Sequence, residues 1–127
     1  MRIICLSAAI AAAVFGAGLC AAQTDPKLAE YDAAFSEMMS KPGDPASVVK
    51  YAQLAVEVGD MEGAVSALEG LLMQDSDQPE VELELGVLYY RLGSTDAARA
   101  HLEAAGKSSQ ASAATRARAT EYLRALK

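Results

Sequence analysis

The chain has 127 residues, enough for one domain, with 17 acidic against 11 basic side chains and a net charge of −6. An acidic balance of this kind argues against nucleic acid as the main ligand. The cysteines are Cys5 and Cys20 and the single histidine is His101, so thiol chemistry, Cys-based metal sites and most general-base schemes have almost nothing to work with.

The opening segment reads as targeting rather than fold. Met1-Arg2 supplies one positive charge and Ile3 to Leu19 is an unbroken run of apolar and small residues. Cys20-Ala21-Ala22 then forms a small-residue exit before the polar Gln23-Thr24-Asp25. This layout predicts a secretory signal peptide over residues 1–22, cleaved after Ala22, and export to a bacterial periplasm. An uncleaved anchor is one alternative, although Ala and Gly dominate the run and no basic stop-transfer cluster follows it. Lipidation of Cys20 is another, although Ala17-Gly18-Leu19 departs from the larger aliphatic residue and two small ones that bacterial lipoproteins carry there. A mature domain over 23–127 contains no cysteine, so it must fold on its hydrophobic core alone.

The first element of that domain is a helix over 26–40, with Leu28, Tyr31, Phe35, Met38 and Met39 along one side and Lys41-Pro42-Gly43 ending it. Residues 45–78 and 79–112 then repeat each other at an offset of 34. Pro45 matches Pro79, Leu54 matches Leu88, Gly59 matches Gly93, Ala64 matches Ala98, Leu68 matches Leu102 and Glu69 matches Glu103. A fixed period of this length means stacked supersecondary units, each unable to bury its apolar face alone.

Each unit reads as two antiparallel helices. In the first, Asp44 caps and Pro45 takes the first helical position, and Val48, Tyr51, Leu54, Ala55 and Val58 recur at helical spacing. Gly59 ends the helix because glycine tolerates the left-handed conformation, and Asp60 caps the next at once. Ala64, Val65, Leu68, Leu71 and Leu72 line the second helix, and Asp75 to Gln78 is a polar break. In the second unit, Val81, Leu85, Leu88 and Tyr89 line the first helix, Gly93-Ser94 makes the turn, and Ala98, Leu102 and Ala105 line the second. Ala52 and Gly86 stand where the paired helices cross, with Ala64 and Ala98 facing them, because only small residues allow the axes to come close. A closing helix over 111–126 presents Ala119, Tyr122, Leu123 and Leu126 to the core. Its wet face holds Arg116, Arg118, Arg124 and Lys127. Six helices are expected, over about 26–40, 46–58, 61–74, 80–92, 95–105 and 111–126, and no strands. The methionines Met38, Met39, Met61 and Met73 fall on the stripes as gap-filling core.

At Leu85-Gly86, Tyr89, Gly93, Ala98, Leu102 and Ala105 the second unit resembles the tetratricopeptide repeat (TPR) family. The first unit is more distant, with Tyr51-Ala52 for the Leu-Gly pair and Ser76 for the frequent proline. The resemblance implies an all-α fold of TPR-like hairpins stacked as a short α-solenoid. It also implies a concave groove lined by the first helix of each unit, where family members usually bind ligands. The groove positions with partner-binding potential are Val49, Gln53, Val56 and Glu57 in the first unit and Leu83, Val87, Tyr90 and Arg91 in the second. Ala46 and Glu80 stand beside them. The alternative is that these residues pack against the flanking helices. The leader, the stretch from Glu80 to Gly93 and the arginine-rich end are also similar to the periplasmic repeat segment of outer-membrane-barrel-associated proteins. Relatives of the surface lipoprotein assembly modifiers are among these, although the chain stops before any barrel strands.

No phosphate loop, metal motif or nucleophile triad is present in the sequence. Glu80, Glu82 and Glu84 do not converge, because alternate residues on a helix point some 200° apart. No metal, cofactor or catalysis is expected, and His101 reads as a partly exposed surface residue. The reading is a periplasmic scaffold or adaptor for a protein or peptide partner, with a place in envelope or outer-membrane assembly. Nucleic acid is not expected as a partner, and membrane contact is confined to the signal peptide before cleavage. Charge distribution supports a second reading. From Asp25 to Glu84 there are 14 acids and three bases, and from Leu85 onward seven bases and three acids. Opposite poles suit weak self-association as a structural protein.

Overall fold

The computed structural model describes residues 25–126. They form six α-helices: α1 Pro26–Ser40, α2 Pro45–Val58, α3 Met61–Gln74, α4 Pro79–Arg91, α5 Thr95–Lys107 and α6 Ala113–Ala125. There are no strands among the described residues. Consecutive helices pack as neighbours, and α6 also rests on α4. Residues 1–22, where a signal peptide is expected and where both cysteines fall, lie outside the described residues.

Local chemistry sets the helix boundaries. Asp44 accepts from the Ser47 backbone N–H at 3.0 Å and Pro45 begins α2. Gly59 closes α2 at φ 92°, and Gly93 turns between α4 and α5 at φ 76°, both in the left-handed region where a Cβ is penalised. Ser112 starts α6, taking a bond from Thr115 N–H at 3.0 Å. The polar breaks after α3 and α5 are tied together, since Ser108 and Gln110 donate to the two oxygens of Asp77 at 2.8 and 2.6 Å. Equivalent loops one repeat apart are thus cross-linked at the surface.

The core divides around α4. Val81, Leu85 and Leu88 join Val48, Tyr51, Ala55, Leu68 and Leu71 in one apolar cluster, while Leu83 and Val87 join Leu102, Ala105 and Ala119 in another. This is why α4 is buried on nearly every side, unlike the amphipathic helices around it. Gly86 marks the closest approach. A Cβ there would fall 2.6 Å from Leu102 Cγ and 3.1 Å from the Leu102 backbone nitrogen.

A polar knot fixes α1 to the first hairpin. Tyr31 and Tyr51 donate to the same Asp60 oxygen at 2.8 and 3.2 Å, and the other oxygen takes the Gly63 N–H at 2.9 Å. Gly63 is required there, because a Cβ would come 2.7 Å from the Tyr51 hydroxyl. The Gly63 N–H, followed by the two tyrosine hydroxyls, holds the Asp60 carboxyl below the usual carboxylate range.

Two methionine expectations need correction. Met38 and Met61 pack against the core, but Met39 and Met73 are exposed, at 62% and 89%. Both sit in the last turn of their helices.

Candidate functional site

A groove with a cavity volume of about 320 Å³ opens where α2, α4 and α6 lie side by side. Ala52, Gln53, Val56 and Glu57 come from α2, and Glu84, Val87, Leu88 and Arg91 come from α4. Leu68 of α3 contributes to the floor, and Arg118 and Tyr122 of α6 form the far wall. The groove exists because the first helices of successive units run in the same direction about one period apart. Their exposed ridges therefore leave a channel between them.

Electrostatics divide the walls. Lys27 reaches from α1 to Glu57 at 2.8 Å, and this hydrogen bond and charge raise the lysine's pKa. Glu84 meets Arg118 at 3.4 Å. Arg91 is exposed and has no ion pair among the described residues. It is therefore the cation on the groove wall that is free to meet an incoming anionic group.

The residues singled out from sequence fall into different settings. Gln53, Val56, Glu57, Val87 and Arg91 line the groove. Val49 is half-buried against the first cluster. Leu83 is buried in the second cluster, where α5 and α6 cover it, and is not part of the groove lining. Tyr90 stands at the groove's edge, 38% exposed, with its ring edge-on to Tyr122 at 5.4 Å. Ala46 is exposed, and Glu80 accepts from Thr115 at 3.1 Å.

Sequence reasoning missed Arg118 and Tyr122. Arg118 stays exposed, as expected of the wet face of the closing helix, and from there its guanidinium reaches Glu84 on the groove wall. The spacing signal was available, since Glu84 and Arg118 are 34 residues apart.

The three alternating glutamates disperse as expected. Glu80 and Glu84 face α6, whereas Glu82 faces α5, where its Oε2 lies 2.6 Å from His101 Nδ1. The His101 ring stacks on Tyr89 at 5.5 Å, and the Tyr89 hydroxyl donates to Glu69 at 2.6 Å. His101 thus helps link α3, α4 and α5 across the outer side. Among the described residues, no three His, Cys, Asp or Glu side chains come together as a metal site.

Comparison with known families matches the tetratricopeptide repeat to residues 55–120. This is just over half the chain and takes in the groove residues of α4 and Arg118 of α6, but stops before Tyr122. No curated protein matches the chain.

Proposed function

The chain belongs to the tetratricopeptide repeat family, and on that premise we propose that it is a non-catalytic scaffold that holds a segment of a partner protein in the groove between α2, α4 and α6. Repeats of this family typically serve as protein-interaction modules. The observation that carries the reading is the groove itself, with an apolar floor at Val56, Val87 and Leu88 and the free guanidinium of Arg91 on its wall. Such a surface suits an extended or helical segment with aliphatic side chains and a carboxylate placed to meet Arg91. Residues 1–22 support a place in the bacterial cell envelope, and the likeness to repeat segments of barrel-associated proteins supports a role in outer-membrane assembly.

Gln53 and Arg91 make the cleanest test, because their side chains hold no hydrogen bond among the described residues. Tyr90 packs on Tyr122, so removing it would also disturb α6. A photocrosslinker at position 53 should trap a partner in envelope extract that one at Lys107, off the groove, does not. Arg91→Ala should weaken the captured complex by about 2 kcal/mol, roughly thirtyfold in Kd. A partner trapped equally well from both positions, or indifferent to Arg91, would remove the groove from the account.

A further inference from the structure

Between α3 and α4, on another side of α4 from the groove, lies a cleft with a cavity volume of about 490 Å³. Met61, Glu62, Val65 and Ser66 of α3 line it, with Tyr89 and Leu92 facing them. Glu62 is exposed and has no ion pair among the described residues. One period later the corresponding place is filled. Thr115 of α6 bonds to Glu80 of α4, and Arg118 meets Glu84, pairs 35 and 34 residues apart, so α6 stands one period after α4. Buried Val81 and Leu85 have buried Thr115 and Ala119 as their counterparts. In this register Val65 corresponds to Arg99 and Leu92 to Leu126, and the two leucines cap the C-terminal ends of α4 and α6. The half-buried Arg99 reaches from α5 to α6 and donates to the Leu126 carbonyl at 3.3 Å. A helix C-terminus is the negative end of its dipole and favours a cation. In the α3–α4 cleft the shorter Val65 leaves that place open.

The charges along α3 are unbalanced in the same sense. Where α5 carries Asp96, Arg99, Glu103 and Lys107, α3 carries Glu62, Val65, Glu69 and Met73. Both acids are kept, and both bases are replaced by aliphatic side chains. In α5 the bases serve the acids. Lys107 donates to Glu103 at 2.7 Å, and Lys107, followed by Arg99, holds the Glu103 carboxyl below the usual carboxylate range. Residues 61–78 hold Glu62, Glu69, Asp75 and Asp77 and no lysine or arginine at all. Met73 and Leu92 meanwhile stand exposed. The surface is therefore apolar and anionic together, and it lacks the side chain that occupies its counterpart.

We propose that the α3–α4 cleft takes an arginine from a basic segment of a partner protein, seated as Arg99 is seated in the next unit. The aliphatic stem lies between Val65 and Leu92, and the guanidinium meets Glu62 and the Leu92 carbonyl at the negative end of α4. Arginine fits this place better than lysine, because its planar fork serves a carboxylate and a carbonyl at once and gives up its water more readily. The contact depends on charges near the surface, so it weakens as salt screens them. The groove reading does not enter into it, since the free charge there is the cation Arg91.

The probe is a tripeptide with arginine between two leucines, blocked at both ends, and its uncharged counterpart carries citrulline in place of arginine. Titrated into the protein at low salt, the arginine peptide should move the amide NMR signals of Val65, Ser66 and Leu92 and leave those of Gln53 and Val87 in place. The citrulline peptide should bind roughly fivefold more weakly or worse, and so should the arginine peptide to Glu62→Gln. Val65→Arg supplies the missing side chain from within, so it should fill the cleft and abolish the shifts. Circular dichroism checks that the variants stay folded. If Val65→Arg does not, Ser66→Arg at an exposed position on the same wall takes its place. No shift at the cleft up to millimolar peptide overturns the proposal, as do shifts confined to the groove. So do equal binding of the two peptides and binding that Glu62→Gln or the filled cleft leaves intact.

Discussion

Two glycines in helix interiors should respond to the same substitution with opposite sign. In an unconstrained helix, alanine is favoured over glycine by about 0.5–1 kcal/mol, because glycine loses more backbone freedom on folding. At Gly70 in α3 nothing lies within 4 Å of an added Cβ, so Gly70→Ala should gain that amount. At Gly86 the added carbon would stand 2.6 and 2.8 Å from Leu102 Cγ and Cδ2, and 3.1 Å from its backbone nitrogen. Carbon pairs rest at about 3.5–4.0 Å. Leu102 is fully buried, so it has no open space to swing into, and α5 would have to move away from α4 by several tenths of an ångström. Overpacking of this kind costs about 1–3 kcal/mol. The contacts under 3 Å put the cost in the upper half of that range, about 2–3 kcal/mol, so after the helical gain the net loss is about 1–2 kcal/mol. In a domain of this size that lowers Tm by about 5–10 °C, while Gly70→Ala raises it by a few degrees. Urea unfolding followed by circular dichroism is the assay, with equal m-values confirming that only stability has changed. A neutral or stabilising Gly86→Ala would refute the close crossing of α4 and α5.

Ala98 is fully buried, and Ala98→Leu should cost about 1–3 kcal/mol in the same urea experiment. Asp60→Ala should cost about 1–3 kcal/mol, because it removes the cap of α3 and leaves the Tyr31 and Tyr51 hydroxyls without their acceptor. The Asp60 pKa is lowered in the fold, so its stabilisation is complete above the unfolded value of about 3.9. It fades as pH falls through the lower folded value. Acid titrations of stability should therefore fall less steeply below about pH 4 in Asp60→Ala than in the parent. Parallel acid limbs in the two proteins would contradict the knot.

The groove was partly legible before any coordinates. The resemblance to the repeat family put Gln53, Val56, Glu57, Val87 and Arg91 on the groove side of the first helices, and these five line the channel. The same resemblance placed Leu83 beside Val87, but α5 and α6 cover Leu83 and leave Val87 at the floor. Nothing in the helical spacing of α4 distinguishes the two. Arg118 and Tyr122 were hidden for a different reason. α6 keeps the repeat's phase but has lost its signature residues, with Thr120 where the preceding unit has Gly86. It therefore reads as a generic amphipathic cap and not as a third wall.

What the sequence determined by itself is therefore local and periodic. Asp44, Asp60 and Ser112 cap helices through their own backbone neighbours, and Gly59 and Gly93 turn because only their φ angles permit it. These interactions span a few residues, so the pattern that encodes them is written in one place. The Tyr31–Tyr51–Asp60 knot, the Arg118–Glu84 pair and the stacking of His101 on Tyr89 were decided by tertiary structure. Each joins side chains from separate helices, and its geometry depends on axis separation and rotation set by the whole core. Small residues such as Gly86 and Ala34 set those distances by what they lack, and only the packed neighbours show what fills the space.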